Sequence, residues 1–332
     1  MILSLGFALI LTLALGFWTG FTDAAYAIST VIGTRTLKPI FAVCLATAGN
    51  FLGMIFGSAV AVTIGTGIIS AEVASGPVII AALIGSLIFD YISSWTFSLP
   101  ISETHVLVGG LVGAGLAAGG LKAIKVTEIA VKVVLPMITV PGISLAIVVL
   151  LTLLVMRAAR NVAAPRANRL FKRMQILSAF FVSATDGTND AQKVMGIATA
   201  LLLYYGHLSE FVVPLWVILA SYAVLSLGTF LGGWRVVKTM ATRITKLRPY
   251  QGFCAEVGSS LILGSAALLG LPVSSTHVAG GSIMGVGVAH RAKSVKWVNT
   301  RKIALAWALS IPIPAVLSFA TYRIIALVAF LY

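Results

Sequence analysis

Two six-residue stretches decide the reading of this chain: Pro100-Ile101-Ser102-Glu103-Thr104-His105 and Pro272-Val273-Ser274-Ser275-Thr276-His277. A shift of 172 residues superimposes their Pro, Ser, Thr and His, and brings Gly109/Gly281, Gly113/Gly285 and Gly115/Gly287 into step behind them. Proline stops the element before it. Ser and Thr are good N-caps for a following helix. Each stretch therefore reads as a helix N-terminus, with free N–H groups and the positive end of the helix dipole. Such an end attracts anions. Two of them in one chain suggest a single oxyanion held between two helix starts.

Composition says where those helices sit. Of 332 residues, 59% are hydrophobic and only 10% are charged. Apolar stretches of membrane-spanning length recur from end to end, so the fold class is an all-α polytopic membrane protein. A β-barrel would show short alternating segments instead. The apolar start, 1–18, lacks a basic leader and reads as the first span rather than a cleaved signal. The net charge of +14 is not a nucleic-acid signature, because the basic residues gather in short loops between spans. Cys44 and Cys254 both lie in apolar spans and read as small buried hydrophobes.

Spans are expected over about 2–31, 39–69, 77–99, 106–120 and up to 155 in the first half. In the second they cover about 175–205, 211–234, 253–271, the Gly-rich stretch 278–288 after the second motif, and the stretch ending at 332. The first and sixth are expected to be interrupted, at 20–23 and 186–190. Three basic loops stand out: 157–173, 235–248 and 291–302. Placing all three in the cytoplasm gives ten crossings, within a range of 10–12, with five in each half. An odd number per half makes two inverted-topology repeats with interrupted helices, 1–156 and 174–332, joined by a basic cytoplasmic linker at 157–173. Both termini then lie outside. Lys122, Lys125 and Lys132 also fall outside, against the positive-inside rule. The repeat is visible upstream too, where Gly20-Phe21-Thr22-Asp23-Ala24 aligns with Gly187-Thr188-Asn189-Asp190-Ala191 at an offset of 167. Inverted repeats with broken helices are the pattern of secondary transporters, with the site near the midplane.

Six of the nine carboxylates lie in or beside apolar spans: Asp23, Asp90, Glu103, Asp186, Asp190 and Glu256. An ionised group there costs at least about 2.5–3.5 kcal/mol, so such residues default to function. Carboxylates beside an anion site repel the anion unless cations bind too. Thr22 and Asp23 in one half, and Thr188, Asn189 and Asp190 in the other, supply hard-cation oxygens. Coupled transport of an oxyanion with cations follows. Gln192 and Lys193 are further polar candidates, with Lys193 read first as an ion-pair partner of Asp190. His105 and His277 read as side chains that hydrogen-bond the first turn of their helices, ahead of a proton-relay role.

At these residues the chain resembles the inorganic phosphate transporter (PiT) family. The likeness is carried by Gly187-Thr188-Asn189-Asp190-Ala191-Gln192-Lys193, by Pro272–His277 and by Pro100-Ile101-Ser102, and it covers both halves. It implies cation-coupled uptake of inorganic phosphate in the inner or plasma membrane. It would put phosphate on Ser102, Thr104, Ser274, Ser275 and Thr276, and the cation, Na+ or H+, near Asp23, Asn189 and Asp190. No cofactor beyond the coupling ion is expected. The partners are phosphate, that ion and the lipid bilayer; a homodimer is compatible with the sequence, and nucleic acid is not a partner. The chain departs from the family at Tyr26, where Asn is usual, at Glu103, where Ser or Thr is usual, and at Asp186, where His is common. Sulfate is the rival substrate, and phosphate is favoured because it can donate a proton to Glu103. An intramembrane enzyme acting on phosphate esters lacks a nucleophile with a paired base. A passive anion channel would not need the carboxylates.

The inverted arrangement makes a labelling prediction. On a background lacking Cys44 and Cys254, cysteines placed within 157–173 and 291–301 should react only from the cytoplasm. Lys122→Cys should react only from outside. Cytoplasmic labelling of Lys122→Cys would exclude inverted halves.

Overall fold

The computed structural model describes residues 2–70, 72–97 and 99–331. Among them the fold is helical, with one isolated β-bridge between Ile69 and Ile124. The first half contains α1 (Ile2–Gly33), α2 (Pro39–Leu52), α3 (Ala59–Thr66), α4 (Gly76–Asp90), α5 (Glu103–Gly119), the single turn α6 (Val126–Ile129) and α7 (Leu135–Ala158). The second contains α8 (Ala164–Tyr204), α9 (Leu215–Leu231), α10 (Trp234–Arg243), α11 (Pro249–Leu268), α12 (Ser275–His290), α13 (Trp297–Leu309) and α14 (Pro312–Leu331). The order repeats: a long helix, a bent pair, a helix, a Ser-capped helix, then a closing arm. The bends match as well, with 83° between α2 and α3 and 70° between α9 and α10.

The expected breaks in the first and sixth spans are not there. α1 runs unbroken through Gly20–Asp23, and α8 runs unbroken through Asp186–Asp190. Their glycines serve packing rather than opening. A Cβ at Gly20 would lie 2.0 Å from the Leu225 carbonyl oxygen, and one at Gly187 would lie 2.6 Å from the Asn50 Cα. The interruptions fall instead in the bent pairs and before the two Ser-capped helices. The basic linker is only partly a loop, since α8 starts at Ala164. The final span holds as one stretch, Trp297–Val328, with only a turn at 310–311 ahead of Pro312. Cys44 is exposed on α2, whereas Cys254 is buried as expected.

Five helical stretches among the described residues are long and apolar enough to cross a membrane, or seven if each bent pair is one span. That is fewer than ten, for a physical reason. α12 has only 16 residues, and the middle of α8 buries Asp186, Asn189, Asp190, Gln192 and Lys193. Helices shielded by protein need not be apolar all round.

The halves are held together by an exchange of their closing helices. α14 packs on α4 and α5 of the first half, and α7 packs on α11 and α12 of the second. The repeated glycines are the seats of this exchange. A Cβ at Gly109 would meet the Ile311 carbonyl oxygen at 2.3 Å, and one at Gly113 would meet that of Ala315 at 1.9 Å. A Cβ at Gly281 would meet that of Pro141 at 2.5 Å, and one at Gly285 that of Leu145 at 2.7 Å. With lipid as solvent, close backbone approach of this kind is the main source of helix association.

Gly113→Ala should therefore destabilise the protein by about 1–3 kcal/mol, the usual cost of overpacking. Gly142 lies on α7 with nothing within 4 Å of an added Cβ. Gly142→Ala should be neutral or slightly stabilising. Thermal unfolding of both variants in the same detergent checks the contrast.

Candidate functional site

Ser102 and Ser274 sit in extended backbone just before α5 and α12. Each Oγ accepts a hydrogen bond from the backbone N–H three residues on, His105 and His277, at 3.3 Å in both cases. The two helix starts then bond to each other. Thr104 Oγ1 donates to the Val273 carbonyl at 3.2 Å, and Thr276 Oγ1 donates to the Ile101 carbonyl at 2.5 Å. Thr104 and Thr276 are equivalent under the 172-residue shift, and so are Ile101 and Val273. The contact is therefore reciprocal, as at a two-fold axis. The rings of His105 and His277 meet behind it, tilted by 44° with centroids 4.8 Å apart. Both Nδ1 atoms lack a partner, so the serines cap these helices and the histidine side chains do not. Trp307 closes the back of the site, its ring 4.1 Å from that of His277 and its Nε1 donating to the Pro100 carbonyl at 3.1 Å.

α1 and α8 bring the charges. Ser275 Oγ donates to Asp23 Oδ2 at 3.2 Å, and Thr22 Oγ1 donates to Glu103 Oε1 at 2.7 Å. The structure thus joins the expected anion and cation residues through direct bonds. Lys193 Nζ pairs with Asp190 Oδ1 at 2.5 Å, as the sequence suggested. Asp23, Asp90, Glu103, Asp186, Asp190 and Lys193 are all buried, none more than 4% exposed. Asp23 Oδ1, both Asp90 oxygens, Glu103 Oε2, Asp186 Oδ1 and Asn189 Oδ1 have no hydrogen-bond partner. Acceptor oxygens left unsatisfied in such a place suit a hard cation or a proton. No group of three or more His, Cys, Asp or Glu converges as a metal cage among the described residues.

Other expected site residues are used differently. Thr188 Oγ1 bonds the carbonyls of Ala184 and Gly53, and Gln192 Oε1 accepts from the Val60 N–H at 2.7 Å. These two tie α8 to the α2–α3 break and do not face the anion motifs. Asn189 Nδ2 reaches the Leu263 carbonyl at 3.4 Å. Tyr26 gains a role that sequence reasoning missed. Its hydroxyl lies within hydrogen-bond distance of Thr276 Oγ1, at 2.9 Å, and of the Ile101 carbonyl, at 3.2 Å, so it binds α1 to both motifs. The 167-residue offset pairs Tyr26 with Lys193, which was the available signal. Glu256 is buried but belongs to a separate hub. It accepts from Thr30 Oγ1 at 2.5 Å, from Gln175 Nε2 at 3.1 Å and from Ser178 Oγ, joining α1, α8 and α11.

Comparison with known proteins fits this geometry. Residues 19–318 match the model of the phosphate transporter family. The chain belongs to that family. It is 42% identical over 315 residues to a probable low-affinity inorganic phosphate transporter of Rhizobium meliloti, covering 94% of each chain. A Bacillus subtilis protein of the same description is 37% identical over 319 residues, with 95% of each covered. Among solved structures, a sodium-dependent phosphate transporter superposes with a TM-score of 0.82 at 26% identity, covering 98% of this chain and 99% of the other. The relatives are transporters and permeases, not enzymes, and with its apolar helices the chain is a multi-pass membrane protein.

The Asp190–Lys193 pair makes a stability prediction. Lys193→Met leaves a buried carboxylate unpaired and should cost about 3–5 kcal/mol. Asp190→Asn in the same chain should restore most of the loss. Thermal melting of the single and double variants measures this, and additive losses would show that the pair is not coupled.

Proposed function

We propose that the protein is a secondary transporter that carries inorganic phosphate across the membrane together with a coupling cation, Na+ or H+. The observation that carries this reading is the reciprocal bonding of the two Ser-capped helix starts, with Ser275 bridging to Asp23. Phosphate would sit between the N-termini of α5 and α12, held by backbone N–H groups and by the hydroxyls of Ser102, Thr104, Ser274, Ser275 and Thr276. The positive ends of both helices favour a dianion there. Charge-assisted hydrogen bonds of this kind contribute about 1.5–3 kcal/mol each.

The coupling cation would neutralise Asp23 and its neighbours before or with the anion. Asp23, Thr22, Asn189 and Asp190 are the oxygen ligands we assign to it. Ser275 touches both the proposed anion position and Asp23, so occupancy of one site changes the partner available at the other. That shared hydroxyl is a direct route for coupling. Inverted halves would put the two motifs at the midplane from opposite faces, with both termini outside. The exchanged closing helices and the reciprocal threonine bonds support that arrangement. Rocking of one half against the other would then open the same site to either side. Glu103 favours phosphate over sulfate, since monohydrogen phosphate can donate a hydrogen bond to a carboxylate and sulfate cannot.

The test is radiolabelled phosphate uptake into proteoliposomes under imposed Na+ or pH gradients. Ser102→Ala with Ser274→Ala should raise the phosphate KM by tenfold or more, about two lost charge-assisted bonds, without unfolding the protein. Asp23→Asn should abolish gradient-driven uptake while weak anion binding survives. Full concentrative uptake by Asp23→Asn would remove this carboxylate from the coupling step.

A further inference from the structure

Thr104 and Thr276 each have one hydroxyl hydrogen, and each gives it to a carbonyl of the opposite motif. To donate to an anion between the helix starts, a threonine has to leave that carbonyl. Both carbonyls belong to buried residues, Val273 at 3% exposed and Ile101 at 2%. A buried carbonyl left without a donor costs about as much as the bond it loses. Release of either threonine therefore needs a second donor that takes its place.

Such a donor stands at one end only. Thr276 Oγ1 lies 2.5 Å from the Ile101 carbonyl oxygen, the Tyr26 hydroxyl lies 3.2 Å from it, and the two hydroxyls are 2.9 Å apart. Two hydroxyl hydrogens thus surround one carbonyl that needs one of them. When Tyr26 donates to the carbonyl, the Thr276 hydrogen can turn away by rotation of its hydroxyl, and no buried group is orphaned. We propose that Tyr26 is a positioning residue for phosphate: its phenol takes over the Ile101 carbonyl and releases the Thr276 hydroxyl to donate to the anion. The inference rests on the phosphate-transport reading.

The other end shows why the phenol matters. The Val273 carbonyl accepts from Thr104 at 3.2 Å, and among the described residues no second donor reaches it. The residue equivalent to Tyr26 under the 167-residue offset is Lys193, and its ammonium is paired with Asp190 on its own helix. Of the two threonines, Thr276 is the one that can turn to phosphate without leaving a buried carbonyl bare. Tyr26 touches both motifs from α1, so the exchange takes place without either motif losing its hold on that helix.

The experiment measures binding of radiolabelled phosphate by the full-length protein in detergent, in NaCl buffer at one fixed pH, beside thermal melting of the same samples. Tyr26→Phe keeps the ring and removes the phenol hydrogen. It should raise the phosphate Kd about tenfold, the size of one net hydrogen bond, with little change in melting because Thr276 still serves the carbonyl. Thr276→Val should raise Kd by a similar factor, because Tyr26 then holds the carbonyl and no hydroxyl turns to the anion. The two substitutions remove the same bond to phosphate, so the double variant should bind no more weakly than Thr276→Val. Its melting should fall by more than the two single losses together, since the Ile101 carbonyl then has no donor. Thr276→Ser restores a hydroxyl and should restore the sensitivity to Tyr26→Phe. In a Thr104→Val background the effect of Tyr26→Phe on Kd should persist in full.

A merely structural brace would lower melting in Tyr26→Phe and leave Kd where it was. An unchanged Kd in Tyr26→Phe, or a further tenfold loss when it is added to Thr276→Val, would overturn the exchange. Should the double variant not fold, the split between Kd and melting in the two single variants decides. A parent protein that binds no phosphate would overturn the transport reading and this one with it. Binding by the parent with an unmoved Kd in Tyr26→Phe overturns this one alone.

Discussion

The structure hangs on two threonine hydroxyls. Thr104 and Thr276 each reach across to the carbonyl that precedes the other helix, at Val273 and Ile101. Two positive helix ends would otherwise repel each other at this distance. Two buried hydrogen bonds between neutral groups, with Tyr26 bracing one of them, hold the ends together when no anion is present. Their reciprocity means that neither half can shift without stretching both.

Around that centre the protein buries Asp23, Asp90, Glu103, Asp186 and Asp190 against the single ammonium of Lys193, among the described residues. Such an arrangement is not stable with all groups ionised and nothing added. Neutralisation of part of this cluster, by a proton or a bound cation, is therefore a condition of the fold. The departures from the family pattern concentrate here. Glu103 adds a carboxyl at the first residue of α5, and Thr22 answers it with a hydrogen bond. Tyr26 replaces an amide that could ligate a cation with a phenol that bonds both motifs.

Much of this was legible in the sequence, and for identifiable reasons. The duplicated Pro-x-Ser stretches located both helix starts because proline and N-cap chemistry act locally. The ion pair of Asp190 and Lys193 was legible because residues three apart on a helix face each other. The glycines at 20 and 187 misled, because glycine serves equally to open a helix and to let another backbone come close. Only tertiary contact, with Leu225 and Asn50, separates the two uses. Gln192 misled for a similar reason. It sits among ligand-like residues, but its amide is spent on the end of α3, which lies 132 positions away in the chain.

The two halves are equivalent in plan but not in detail, and the differences have a direction. α3 is capped by Gln192 while α10 has only Ala25 opposite it. Lys193 neutralises Asp190, while its counterpart Tyr26 leaves Asp23 with only the Ser275 hydroxyl. Ala25 cannot give α10 the side-chain bond that Gln192 gives α3, and among the described residues Asp23 has no ion-pair partner. The asymmetry between Tyr26 and Lys193 thus sets a phenol hydrogen-bonded to both motifs against an ammonium ion-paired within its own helix, at equivalent positions of the two halves.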